Sequence, residues 1–169
     1  DSLDRRQINF NLQEKTLKKL LYKAKNTELG IQYGFGNMLQ SKNYLKDFQK
    51  KVPIFDYEKI YQLYWHKLLQ GKGNITWPGK IKFFGLTSGT SNDSSKRVPI
   101  SHDMIKSMRR TGIRQLISLA EFNLPPYFYE KSVLMLGGST SLVKIEKYFE
   151  GDLSGILTGR LPFWFNRFY

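Results

Sequence analysis

Ile81-Lys82-Phe83-Phe84-Gly85-Leu86, followed directly by Thr87-Ser88-Gly89-Thr90-Ser91-Asn92-Asp93-Ser94-Ser95-Lys96, is the stretch on which the reading of this chain turns. The first six residues alternate well enough to predict a strand, and they run straight into a polar, glycine-bearing loop. Seven of the ten loop residues carry hydroxyl or amide side chains, and the last is a cation. Such groups are phosphate ligands. Backbone N–H groups exposed by Gly89 and the hydroxyls of Thr87, Ser88, Thr90 and Ser91 can donate to anionic oxygens, while Lys96 supplies a mobile positive charge. The competing reading is a polar surface loop of the kind any protein carries, but ordinary loops seldom join a buried strand to so concentrated a set of donors. A Walker loop is excluded, because it needs two glycines separated by four residues and followed directly by Lys and Ser or Thr. The glycine triplet of a dinucleotide fingerprint is also missing between a strand and a helix. The expectation is therefore a phosphate-binding loop over residues 87–96 in a nucleotide-using enzyme.

On the N-terminal side of this stretch the pattern is helical. Leu12, Leu17, Leu20, Leu21 and Ala24 recur at spacings of three and four, which predicts a helix from Phe10 to Lys25 with one apolar face. Gly30 is expected to stop that helix or to follow its end, and Gly34-Phe35-Gly36 reads as a turn. Tyr44 to Lys50 predicts a short helix ended before Val52-Pro53. Asp56 is the expected N-cap of a helix through Leu69, closed by Gly71 and Gly73. Its Tyr57, Tyr61, Tyr64 and Trp65 fit core packing better than stacking on nucleic-acid bases.

On the C-terminal side, Val98-Pro99-Ile100 reads as a short extended piece and Ser101 as an N-cap, with Asp103 complementing the helix dipole. Met104, Met108, Ile113, Leu116, Ile117 and Ala120 predict one apolar face as far as Phe122, ended by Pro125-Pro126. Ser132-Val133-Leu134-Met135-Leu136 predicts a second strand, leading into Gly137-Gly138-Ser139-Thr140-Ser141. That cluster reads equally as a turn or as part of a pocket at a strand end. Asp152 with Ser154 fits an N-cap for a last helix. Helices and apolar strands with glycines at the strand ends imply an α/β fold, mainly helical over residues 1–79 and α/β over residues 80–169.

Composition narrows the function classes. The chain has 169 residues, 40% hydrophobic and 15% aromatic, enough apolar material for a core. With 27 Lys and Arg against 14 Asp and Glu, the net charge of +13 attracts phosphates, nucleic acids and anionic membranes alike. The absence of cysteine removes disulfides, zinc–thiolate sites and thiol nucleophiles. His66 and His102, the only histidines, lack a carboxylate cluster at metal-ligand spacing, so no protein metal site is expected and no catalytic residue is assigned. No apolar run approaches the roughly 20 residues of a bilayer span, and no signal peptide opens the chain, so a cytoplasmic protein is expected. The apolar end Phe163-Trp164-Phe165-Asn166-Arg167-Phe168-Tyr169 is unlike a mobile terminus and points to a piece of a longer chain.

The loop also carries a resemblance. Ser88-Gly89-Thr90-Ser91, then Lys96 and Pro99, resembles the first adenylate-binding motif of the acyl-adenylate-forming superfamily. The longer spacing to the lysine is the form of the auxin-responsive acyl acid amido synthetase family, the Gretchen Hagen three family, in its bacterial type. Tyr64-Trp65-His66, Leu136-Gly137-Gly138-Ser139, Gly151-Asp152-Leu153-Ser154-Gly155-Ile156 and Leu161-Pro162-Phe163-Trp164 are similar to family segments in the same order. Asp93 departs from it, standing where many members carry glycine. The resemblance implies the N-terminal portion of a large adenylate-forming domain. It implies an ATP- and Mg²⁺-dependent ligase that joins a carboxylic acid to AMP and passes the acyl group to an amine such as an amino acid. It places Thr87, Ser88, Gly89, Thr90, Ser91 and Lys96 at the nucleotide and Gly137, Gly138 and Ser139 near the substrate. The adenine-binding motifs and the small C-terminal domain would lie beyond Tyr169, so the chain alone is not expected to complete the reaction. A thioester-forming ligase using coenzyme A, and a basic nucleic-acid-binding module with no nucleotide site, remain the alternatives.

Overall fold

A computed structural model describes residues 2–87, 95–131 and 139–159. The chain divides into two compact units, Asp1–Lys80 and Ile81–Tyr169.

The first unit is helical: α1 Ser2–Ala24, α2 Glu28–Gln32, α3 Phe35–Met38, α4 Tyr44–Lys51, α5 Tyr57–Ile60 and α6 His66–Leu69. Its core gathers Leu21, Ala24, Phe35 and Met38, with Leu17, Tyr44, Phe48 and Trp77 packed around them. The predicted apolar face of α1 is only partly used, since Leu21 and Ala24 are buried while Leu12 and Leu20 face solvent. The turn after α1 is set by Thr27 rather than by Gly30. The Thr27 hydroxyl donates to the Ala24 carbonyl at 2.7 Å and accepts from the Gly30 N–H at 3.0 Å, ending one helix and capping the next. Gly30 is buried within α2, where a Cβ would fall 2.0 Å from the Ala24 carbonyl oxygen. Gly34-Phe35-Gly36 is not simply a turn. Gly34, at φ 69°, takes the left-handed conformation that redirects the chain into α3, and Phe35 is buried.

Asp56 caps α5 as expected, its Oδ1 accepting from the Lys59 N–H at 2.8 Å. The expected single helix to Leu69 is interrupted by a π-helical turn, Tyr61–Trp65. The Tyr61 carbonyl there accepts from the His66 backbone N–H and lies 3.0 Å from His66 Nδ1. A carbonyl can only accept, so the ring proton of that bond sits on Nδ1. The aromatic residues pack on protein. Tyr64 is buried, with its hydroxyl donating to Gln32 Oε1 at 2.8 Å, and its ring meets Phe55 edge-on. Tyr57 stacks on Tyr61 and meets Trp65 edge-on.

The second unit is built on a mixed four-stranded sheet of order β2-β1-β4-β3, made of β1 Phe83–Leu86, β2 Arg97–Ile100, β3 Val143–Lys144 and β4 Phe149–Asp152. β1 pairs antiparallel with β2 and parallel with β4, and β3 pairs antiparallel with β4. The expected alternation along β1 gives way to three consecutive buried residues, Phe83, Phe84 and Gly85. A central strand covered on both faces accounts for that. Among the described residues of this unit, two α-helices accompany the sheet, α7 His102–Ser118 and α8 Leu153–Thr158. Phe83 and Ile100 of the sheet, Ile105 of α7 and Ile156 of α8 form the core, with Val98, Phe149 and Leu153 against it. The Ser101 hydroxyl caps α7, accepting from the Met104 N–H at 3.1 Å.

The predicted apolar face of α7 is largely uncovered. Ile113, Leu116, Ile117 and Phe122 are exposed, and Ile105, outside that set, is the buried anchor. Periodicity identifies an amphipathic helix, whereas burial also needs a neighbour along its whole length. The helix ends at Ser118, before Pro125, and passes through a 3-10 turn, Leu119–Phe122, to Asn123 in the left-handed conformation. Pro126 opens a further 3-10 turn. The strand expected over 132–136 lies outside the described residues.

Candidate functional site

The loop over 87–96 turns out to be the connection of a β-hairpin. β1 ends at Leu86, β2 begins opposite it at Arg97, and the Thr87 N–H donates to the Lys96 carbonyl at 3.1 Å, closing the mouth of the loop. Thr87 is exposed and Lys96 half-buried. Ser88, Gly89, Thr90 and Ser91 lie outside the described residues, so the structure brings together Thr87 and Lys96, the two ends of the predicted set.

Around this mouth the parallel partner of β1 matters most. Leu86 is in register with Asp152, so the C-terminal ends of β1 and β4 lie side by side. In an α/β sheet that is the edge where ligands gather. α8 leaves β4 immediately after Asp152, which stands at the N-cap position with no side-chain cap bond. Two close approaches bind α8 to its surroundings. A Cβ at Gly85 would lie 3.7 Å from Leu153 Cβ, ordinary contact between β1 and the helix start. A Cβ at Gly155 would fall 2.0 Å from the Ser139 carbonyl oxygen and 3.3 Å from Thr140 Cα, so only glycine lets the helix lie against that backbone.

Ser139 is thus held against α8 at Gly155. It is exposed, and its hydroxyl accepts from the Ser141 N–H at 3.1 Å, the geometry of a turn. Gly137 and Gly138 lie outside the described residues. Ser139 thus lies against Gly155 of α8, while the start of the same helix meets Gly85 of β1, two residues before Thr87.

Sequence reasoning passed over one pair at this edge. Arg97 Nε donates to Glu150 Oε2 at 2.7 Å and Nη2 to Oε1 at 3.4 Å, joining β2 to β4 across β1. Arg97 was legible as the residue after Lys96, but nothing in the chain order joins it to a glutamate 53 residues away. The hairpin of β3 and β4 was also unread, since Val143-Lys144 and Phe149-Glu150-Gly151-Asp152 are too short and mixed to stand out.

His66 is engaged at the π turn, and His102 opens α7 exposed to solvent. Among the described residues no three His, Asp or Glu side chains cluster as metal ligands, and no helix is long and apolar enough to cross a membrane.

The fold defines the class: an α/β protein whose helices are followed along the chain by a small mixed sheet. A protein-family model described as the GH3 family N-terminal domain matches residues 9–143. This chain belongs to the GH3 family, whose members are acyl-adenylate-forming enzymes. No curated protein matches it as a relative.

Proposed function

We propose that this chain is the N-terminal portion of an ATP-dependent acyl acid amido synthetase and supplies its phosphate-binding loop. The observation that carries the reading is the family match over residues 9–143, which spans the loop and its hairpin. In the proposed reaction a carboxylate oxygen attacks the α-phosphorus of ATP and the bond to the β-phosphate oxygen breaks. Pyrophosphate departs and an acyl–AMP anhydride remains. An amine then attacks the acyl carbon, loses its proton and expels AMP.

Negative charge builds on the departing pyrophosphate, and preorganised donors are what that step needs. Thr87, Ser88, Gly89, Thr90 and Ser91 are the proposed donors, with Lys96 as electrostatic partner. Gly137, Gly138 and Ser139 are the proposed substrate side. Mg²⁺ bound with the nucleotide would supply further neutralisation, and no ligand in this chain is assigned to it. The hairpin supports the reading physically, because a closed mouth at Thr87 and Lys96 fixes both ends of a loop that must hold its donors in place.

The test is acid-dependent release of pyrophosphate from ATP by the full-length protein that contains this sequence, across aromatic and aliphatic carboxylic acids. Release is expected with a subset of acids, reduced roughly tenfold to a hundredfold by Ser88→Ala or Lys96→Ala. Supplying amino acids or coenzyme A then separates an amine from a thiol acceptor. No release with any acid, beside steeply salt-dependent binding to DNA or RNA, would overturn the reading in favour of the basic charge.

A further inference from the structure

The Arg97–Glu150 pair lies where the proposed nucleotide loop meets the sheet. By register, Arg97 stands opposite Leu86, while Glu150 stands opposite Phe84, two residues back along β1. Positions two apart share a face, so both side chains rise on the same side of the sheet and meet over the central strand. The contact is a fork. Two guanidinium nitrogens address the two oxygens of one carboxylate, and the Glu150 side chain is only 12% exposed. Such a pair carries directional information that a single lysine–carboxylate contact lacks.

The location gives it consequence. Among the described residues β2 is an edge strand whose one ladder partner is β1, and Pro99 within it has no N–H to give to the ladder. The mouth of the loop is closed by the Thr87 to Lys96 backbone bond. Arg97 follows Lys96 directly, so whatever holds its backbone orients the Lys96 peptide. Glu150 belongs to β4, three residues before α8 begins at Leu153.

We propose that Arg97 and Glu150 are positioning residues. They tie the start of β2 to β4 and so hold the Thr87–Lys96 stem at the C-terminal edge of β1, in the geometry needed to bind the triphosphate. The functional part of this inference rests on the ligase reading above. The structural part does not.

The experiment uses the full-length protein with Glu150→Gln, which keeps the shape and removes the charge, and the exchanged pair Arg97→Glu with Glu150→Arg. Hydrogen exchange at the Thr87 amide should accelerate about fivefold in Glu150→Gln, with the amides of α4 unchanged, and return toward wild type in the exchanged pair. The KM for ATP should rise by about the same factor while the KM for the acid stays constant, and the exchanged pair should restore it. Unchanged exchange at Thr87 overturns the tie. A lower unfolding temperature with an unaltered KM for ATP overturns the positioning role and leaves a stabilising pair. A raised KM that the exchanged pair does not restore also overturns it, because Arg97 would then be reading the nucleotide itself. If the wild-type protein releases no pyrophosphate with any acid, the ligase reading falls, and the exchange measurement alone decides the tie.

Discussion

At Gly155 a hydrogen stands where any other residue would drive a carbon to 2.0 Å from the Ser139 carbonyl oxygen. The obstacle is backbone on both sides, so it cannot be relieved by turning a flexible side chain. Gly155→Ala should destabilise the second unit by about 1–3 kcal/mol, the usual cost of forcing extra volume into a packed site. Urea unfolding followed by circular dichroism measures it, and a loss below a few tenths of a kcal/mol would show that α8 shifts freely. Thr27 is the corresponding point in the helical unit. It is a buried polar residue, and its hydroxyl both donates to Ala24 and accepts from Gly30. Thr27→Val keeps the shape but takes the acceptor from the Gly30 N–H, while the Ala24 carbonyl keeps its bond from the Thr27 backbone N–H, for an expected loss of about 1–3 kcal/mol. Thr27→Ser, which keeps the hydroxyl, should recover most of it.

The elements follow local rules where local chemistry suffices. Ser101 and Asp56 were readable as caps, and both accept the expected backbone N–H, from Met104 and Lys59. Ser101→Ala should cost about 1 kcal/mol in the same unfolding measurement, since the exposed end of α7 can recruit water in part. The helix after Asp56 shows where local rules stop. Spacing alone predicts a continuous α-helix to Leu69, but the π turn at Tyr61–Trp65 inserts a residue's worth of rotation, and Tyr64 within it and Leu68 beyond it are buried. The aromatic contacts among Tyr57, Tyr61 and Trp65, with the His66 ring on the Tyr61 carbonyl, accompany that turn. Such a choice depends on packing partners, which helical periodicity does not encode. The exposed face of α7 is the same lesson in reverse, an amphipathic pattern that identifies the helix but not whether a neighbour covers its apolar side.

Across the whole molecule, charge and burial set the response to pH. With +13 of formal charge the chain repels itself at neutral pH, and deprotonating lysines at high pH relieves part of that. Tyr64 acts in the opposite direction. Burial pushes its phenol well above the ordinary value near 10, with Tyr33 and the negative charge of Glu28 adding to the effect. The folded state thus favours the neutral phenol, and this contribution is complete below about pH 10 and is lost as the pH climbs toward the folded value. The unfolding temperature should therefore fall more steeply above about pH 10 in wild type than in Tyr64→Phe, as measured by thermal scans across that range. Equal slopes in the two proteins would show that Tyr64 ionises without unfolding.

What the sequence by itself determined was the order of things along the chain. It specified the α/β class, the helical first part, the strand before a hydroxyl-rich loop, the caps at Asp56 and Ser101, and a family resemblance that the match over residues 9–143 bears out. These depend on neighbours a few residues apart, whose spacing and hydrogen-bonding chemistry are written in the chain. Only the tertiary structure decided that the loop closes a hairpin, that β4 runs parallel beside β1 and brings Asp152 level with Leu86, and that Arg97 meets Glu150 over the strand between them. It also decided that Gly155 lies on the Ser139 backbone. Each of these joins residues that are distant in sequence, through contacts that arise only when packing has chosen a register and a face.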